Sequence, residues 1–583
     1  MESGDPAGME SAPAPVLTRD SLIHIFTRLG ADDLRRASLV NQAWNDAAET
    51  PWLWRRLCLE RWIFCNLSNT DREINSWKRY YLHRSKTEQH MASGRSTSDY
   101  TCTTFRGHSD SITGLQYLSN PDHQFDTGIC KSLVCTASRD RTLRAWSIQE
   151  GKQLWSTPVQ EEPLVKLITV PQEDLAITAD SKGTIKVWNG RTGDELAVSA
   201  TALTVCNLVT YNMNNQLCLT VGSGRGALIT LTIPNLSQVS HLSVIDAYKV
   251  DFLLVSPNHR WIIAGTKESY DIPAKVLGTE HLMNSVDDDR LTTDSLPLNS
   301  CFTACWLPKR SSRVVTLIHS DVTSSEISIV TLDIALQKAK HKSEIQAKQV
   351  GYFTCKVAAR SNNILLEGHG TNTIILAQGI ELKLFSIEGM HLASFSDHEE
   401  TISGIQVDPF RVVTASMDLS LRVYTWKRQP NKCLGLESNY HLLGGSHLRS
   451  RGFISVLCDY VSIVGAILAK DGKDVLKAFY FNLTRWCRTA SSSTNQQGTG
   501  ADARPHLPQA MAFYVIRMAM MELTSSRRTK TMEILQELLH GQVVCKSKKR
   551  KGMKGLMKKQ HHSLLHLQIS AQIAILHLLQ RLT

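Results

Sequence analysis

FRGHSDSITGLQYL, Phe105 to Leu118, and KSLVCTASRDRTLRAWSIQEGKQLW, Lys131 to Trp155, decide the fold of this 583-residue chain. Gly107-His108 stands just before one strand-like run. Leu133, Cys135 and Ala137 then alternate along the next, the period of a half-covered strand. Asp140 sits in a turn, and Leu143, Ala145 and Trp146 make a third strand.

The same features return downstream. Ser396 to Trp426, SDHEETISGIQVDPFRVVTASMDLSLRVYTW, replaces Gly-His by Asp397-His398, keeps Asp418 in the turn and puts Tyr424 at the Trp146 position. In between, the units decay. Ala179 to Val198 keeps Trp188 and the following turn but has Lys182 at the turn position of Asp140. Val221–Pro234, Phe252–Glu268, Ser312–Asp333 and Thr371–Gly389 keep only alternation and turn residues, and Gly452–Asn482 reads as paired strands. Third-strand anchors are expected near Trp146, Trp188, Leu231, Val276, Leu332, Phe385, Tyr424 and Phe479.

These units resemble WD repeats, the blades of a β-propeller. The resemblance implies a buried hydrogen-bonded set of His108, Thr136 or Ser138, Asp140 and Trp146, with Trp188, His398 and Asp418 as its counterparts. Their implied role is structural, not catalytic. Eight anchors imply eight blades; seven stays open, because degenerate units can be divided differently. A propeller leaves an open edge unless its ends pair. YTCTTF, Tyr100 to Phe105, is expected to supply the outer strand of the last blade.

Nearer the N-terminus, Leu17 to Trp62 carries several short helical stripes with more large apolar residues than so small a unit can bury. Leu22, Ile25, Phe26 and Leu29 share one helix face, with Thr18 as the expected cap and Gly30 as the expected end. A second short helix is expected from Asp32 or Asp33. Val40, Trp44, Ala47 and Ala48 form another stripe. Thr50-Pro51 reads as a capped helix start, followed by Leu53, Trp54 and Leu57. On residues alone a small helical subdomain packed on its own chain explains this equally well. The spacing resembles the F-box, with Leu17-Thr18 where the family usually has Leu-Pro. That resemblance implies docking onto the Skp adaptor of a cullin-type ubiquitin ligase through Leu17, Ile25, Phe26, Leu29, Val40, Trp44, Leu53, Trp54 and Leu57.

The expected class is therefore mainly β with a small α domain. Residues 1–16 read as a disordered N-terminus, 17–62 as F-box, 63–99 as linker helix and loop, 100–483 as propeller, and 484–583 as a polar linker and basic, partly helical tail. The linker helix is expected over Thr70–Lys86, holding the two domains at a fixed separation. From Arg485 onward there are 16 Lys and Arg against 4 Asp and Glu, so the net +11 belongs to the tail and the body is near neutral. Nucleic-acid binding by the whole chain is not expected. Within the tail, the basic run Lys546–Lys559 and a following amphipathic segment leave membrane contact open. A poorly ordered extension without a dedicated role is the plainer reading.

The 14 cysteines form no C-x-x-C pair, which argues against a zinc module and a disulfide framework. No signal peptide is visible, so a cytoplasmic or nuclear setting is expected. Phosphate-loop and zinc-protease motifs are absent, and Gly222–Gly226 reads as a strand turn. No metal, cofactor or bond chemistry is expected.

As a whole, Leu17 to about Leu483 resembles the F-box/WD-repeat family. The resemblance implies a non-catalytic substrate receptor of an SCF ubiquitin ligase, with the Skp adaptor and a cullin as partners. An unidentified protein target would sit on the propeller. Arg139 and Lys166 stand where related propellers place phosphate-reading bases, with Gly114 at a position where a third would help; two positions do not make a phosphate site, and ordinary solvated surface is the plainer reading of the two. The alternative is a WD-repeat scaffold with a vestigial F-box.

Overall fold

The computed structural model describes residues 18–62, 76–95, 99–119, 132–245, 247–269, 271–283, 294–299, 301–319, 326–338, 343–356, 364–428 and 434–481. Residues 1–16, Leu17, the linker before Ser76, the loop 96–98 and the whole 484–583 tail, with its basic run and amphipathic segment, lie outside these. The chain divides into two compact units, with the boundary between Tyr81 and Leu82.

The second unit is an eight-bladed β-propeller. Blade 1 is Ile112–Tyr117, Leu133–Ser138, Leu143–Ser147 and Lys152–Ser156; blade 2 is Leu164–Val170, Leu175–Asp180, Thr184–Asn189 and Glu195–Ala200. Blades 3 to 7 follow in the same meander, beginning at Val205, Phe252, Cys301, Ile364 and Ile402. Blade 8 takes Ser450–Cys458, Ser462–Ala469 and Val475–Tyr480 from the end of the propeller and Thr101–Phe105 from its beginning. All eight anchors fall on third strands, which resolves the count to eight.

The expected closure is present in full register, antiparallel from Thr101↔Tyr480 to Phe105↔Leu476. First strands of successive blades pack on one another around the ring, and that of blade 8 packs back on that of blade 1. The inner strands therefore have a neighbour on both faces, the outer strands stay largely exposed, and neighbouring blades share apolar cores. Leu143, Ala145, Leu164, Leu167 and Trp188 join blades 1 and 2, while Phe105, Ile112, Trp146, Val464 and Leu476 join blades 8 and 1. Blade 5 departs from the others. Its last two strands, Glu326–Lys338 and Ser343–Lys356, are about twice the usual length. Ile334 and Ile345 from this extension join Leu296 in one core, beside a fourth strand of blade 4 only two residues long.

In blades 1, 2, 3 and 7 the turn before the third strand uses the left-handed region. Arg141 (φ 67°) and Leu419 (φ 62°) hold it in blades 1 and 7, where an aspartate pins the turn. Blades 2 and 3 use Gly183 and Gly226 instead. A Cβ there would stand 2.0 Å from the Leu203 carbonyl oxygen or 1.5 Å from that of Ile245, so only glycine fits.

The other unit is built from α1 (Arg19–Phe26), α2 (Ala31–Ala37), α3 (Gln42–Ala48), α4 (Pro51–Arg61) and the start of α5 (Ser76–Ala92). Thr18 caps α1, accepting from the Ser21 amide at 3.3 Å, and Asn41 caps α3. Three boundaries differ from the sequence reading. Gly30 starts α2 and does not end α1, which closes at Thr27. Thr50 precedes α4 with Pro51 in its first turn, but its hydroxyl makes no cap bond. The linker helix is described over Ser76–Ala92 and runs past its expected end at Lys86, while its expected start at Thr70 lies outside the described residues. Trp77, Tyr80 and Tyr81 belong to the helical unit, where Tyr81 meets Trp54 edge to face (5.7 Å) and Trp62 at 5.0 Å. Leu82 onward belongs to the propeller unit, where Arg84 lies over Phe410 and Tyr460 and Met91 joins the core of blades 7 and 8.

Candidate functional site

Two surfaces offer themselves for docking. In the helical unit, the apolar stripes mostly become the unit's own core. Leu22, Phe26, Leu34, Leu53, Trp54, Leu57 and Cys58 are buried, and Trp54 Nε1 donates to the Ala48 carbonyl at 2.8 Å. Four members of the contact set implied by the family resemblance thus lie inside this unit. Phe26, Leu53, Trp54 and Leu57 shape the unit from inside and present no surface of their own. The physical reason is size: four short helices need one side of every stripe to make any core at all.

Ile25, Leu29 and Trp44 are half-buried, and Trp44 packs edge to face on Phe26 at 5.5 Å. Val40 is exposed, because it lies in the turn before α3 and not on its stripe. Three exposed side chains escaped the sequence reading: Leu39 beside Val40, and Trp52 and Leu59, seven residues apart on α4. Leu39 is 73% exposed and Trp52 52%. A period-based reading assigns apolar residues to one face; these stand in a turn or on the opposite face, so periodicity gives no sign of them.

In the propeller, the hydrogen-bonded set takes its implied form. His108 Nδ1 pairs with Asp140 Oδ2 at 2.8 Å, its Nε2 with Thr136 Oγ1 at 2.8 Å, and Trp146 Nε1 donates to the same hydroxyl at 2.8 Å. The choice between Thr136 and Ser138 thus falls to Thr136. Ser138 instead accepts from the Asp140 amide. In blade 7, His398 joins Asp418 at 2.9 Å and Thr414 at 2.7 Å, with Tyr424 buried in the tryptophan place. Blade 2 retains only Trp188 Nε1 to Thr178 Oγ1, 2.9 Å. There Asp180, two residues before Lys182, pins the turn by accepting from the Lys182 and Thr184 amides.

Burial pushes the Asp140 and Asp418 carboxyls up, but hydrogen bonds from His108 and Thr142, and from His398 and Ser420, outweigh it and hold both well below the usual carboxylate range. A carboxyl lowered on folding stabilises the fold above its unfolded pKa, about 3.9, and that share is lost as pH falls further. Asp140→Asn is expected to destabilise the propeller by roughly 1–3 kcal/mol at pH 6. Urea unfolding should show the gap to the unsubstituted chain shrinking below about pH 4; a gap unchanged at pH 3 would contradict the assignment.

Arg139 is exposed in the turn after the second strand of blade 1, its amide donating to the Ser111 carbonyl. Lys166 lies on the first strand of blade 2, opposite Ala179, at the same end of the ring. Burial lowers its ammonium pKa from the lysine range, and the charge of Lys249 adds to this. Gly114 occupies the corresponding place in blade 1, opposite Ala137. A Cβ there would meet the Leu167 side chain at 2.6 Å, so packing excludes a basic residue. Among the described residues no three His, Cys, Asp or Glu side chains converge on a metal-sized site.

Comparison with known proteins agrees with both units. An F-box-like family model matches residues 19–60, and a WD domain, G-beta repeat model matches residues 99–147. Human F-box/WD repeat-containing protein 12 is 33% identical over 468 residues, covering 79% of this chain and 98% of that protein. Mouse F-box/WD repeat-containing protein 15 is 25% identical over 471 residues, with the same coverage of each.

Proposed function

Because this chain belongs to the F-box/WD repeat-containing protein family, we propose that it is the substrate receptor of an SCF-type ubiquitin ligase. The observation that carries this reading is the state of the helical unit. Its core is complete, yet Leu39, Val40, Trp52 and Leu59 remain largely exposed. A unit this small does not leave four large apolar groups in water without a protein to cover them. The Skp-type adaptor is that protein, and a cullin binds through it.

The receptor performs no bond chemistry of its own. His108, Asp140, His398 and Asp418, its best-placed acid–base groups, are consumed in holding turns. Its contribution is proximity: a target held on the propeller keeps its lysines at high effective concentration near a ubiquitin carrier elsewhere in the complex. Arg139 and Lys166 supply positive charge at one end of the ring and would favour an anionic, including a phosphorylated, target. The working place of such a receptor is the cytoplasm, the nucleus or both.

Affinity purification with the proteasome blocked tests this. The intact chain is expected to bring down a Skp-type adaptor together with a cullin, and a chain lacking residues 17–62 neither. Absence of both from the intact chain would leave the scaffold reading.

A further inference from the structure

The end of blade 7's outer strand and the loop from it to blade 8 expose apolar side chains that looseness does not explain. Leu448 is 85% exposed and Leu443 60%. The backbone is held at both ends of this stretch. The Gly444 amide donates to the Leu419 carbonyl at 2.7 Å, and the Gly444 carbonyl accepts from Lys477 Nζ at 3.1 Å. The Leu448 amide donates to Ser446 Oγ, the Arg449 amide to the Ser446 carbonyl, and the Lys470 amide to the Arg449 carbonyl. Gly444 has no room for a Cβ against Phe453, and Gly445 sits at φ 135°. The fold thus spends backbone bonds and two glycines to hold two leucines out in water.

Their surroundings are cationic. Arg449, Arg451, Lys470, Lys473 and Arg106 are exposed at this end of blade 8, and none makes an ion pair among the described residues. Register places them together: Ser450 is opposite Ala469, and Phe105, next to Arg106, is opposite Leu476. Three carboxylates of this end are engaged by backbone amides. Asp474 is buried and accepts from the Ile112 and Ala469 amides, Asp471 accepts from the Lys473 amide, and Asp110 from the Ser111 amide.

We propose that this rim of blade 8 is a docking site for a short acidic segment of another protein that carries one or two large apolar side chains. The leucines would anchor the apolar groups, and the five unpaired cations select Asp and Glu flanking them. In the receptor proposed above this names a class of target, but the site is a property of the propeller alone. It is centred on blade 8, beside the blade 1 segment Ser111-Ile112 that holds the Arg139 turn, and requires no phosphate.

The test is fluorescence anisotropy with the full chain and synthetic 12-residue peptides of four kinds: Asp/Glu with two Leu or Phe, Asn/Gln with the same apolar residues, Asp/Glu alone, and phosphoserine without apolar residues. The acidic-apolar set is expected to bind, and at least about tenfold more tightly than the other three. Leu448→Ser and Arg451→Glu, both at exposed positions, should each weaken it about tenfold at an unchanged melting temperature. Equal binding of the acidic set without apolar residues, preference for the phosphoserine set, insensitivity to Leu448→Ser, or no binding of any set would overturn the proposal. Adaptor co-purification by the same two variants is expected to stay intact. Its loss from the unsubstituted chain would instead strike the receptor reading and leave this one standing.

Discussion

Removing Thr101–Phe105 is expected to lower the melting temperature of the propeller by on the order of 10 °C. The five residues pair with Leu476–Tyr480 of the third strand of blade 8. Their loss would turn a closed ring into one with a free edge at Val475–Tyr480. Phe105 is also buried, with its ring 5.5 Å from that of Trp146, so it ties blade 8 to blade 1 by packing as well as by hydrogen bonds. Truncating such a phenylalanine costs about 3–5 kcal/mol by itself. Thermal unfolding followed by near-ultraviolet circular dichroism reads the effect. A melting temperature unchanged by the deletion would mean that the ring does not depend on this closure. Phe105→Ala should give a smaller shift in the same direction, since it removes the packing and leaves the strand.

The second large effect is expected at Trp54→Ala. Trp54 is 1% exposed, donates to the Ala48 carbonyl, meets Tyr81 edge to face and has the Lys78 ammonium 5.6 Å from its ring centre. Loss of that side chain costs about 3–5 kcal/mol, close to all the stability a helical unit of this size has. The unit should unfold while the propeller remains intact. Limited proteolysis should then cut within residues 18–62 and spare 101–481; a protease-resistant helical unit in the variant would contradict this. Adaptor binding would disappear with the fold, so this substitution does not locate the contact surface. Leu39→Asp and Val40→Asp do, because both positions are exposed and the core does not use them.

The propeller was legible because its signal repeats. Trp146, Trp188, Tyr424 and the five weaker anchors each fell on a third strand, since alternation plus a turn recurs where a single blade would be ambiguous. The closing strand followed from the physics of an unpaired edge. Lys182 misled only locally: the turn in blade 2 is pinned by Asp180, a shift that compensates for the missing Asp without changing the strand order.

The helical unit was legible as a unit but not as a surface. The stripe through Leu22, Phe26, Leu53, Trp54 and Leu57 is real, and it points inward. An apolar stripe reports that something covers it and is silent on whether the cover is the same chain. The residues left outside, Leu39, Val40, Trp52 and Leu59, are visible only once the helices are packed. Leu448 is the same case in the propeller, a lone leucine between turn residues with no period to mark it.

The proposed receptor role requires the helical unit to keep apolar side chains uncovered for another polypeptide. Calorimetric titration of the full chain with a purified Skp-type adaptor measures this directly. The intact chain is expected to bind, and the Leu39→Asp, Val40→Asp double variant to bind at least about 100-fold more weakly with its helical unit still folded. No binding by the intact chain, or equal affinity for the double variant, would contradict it.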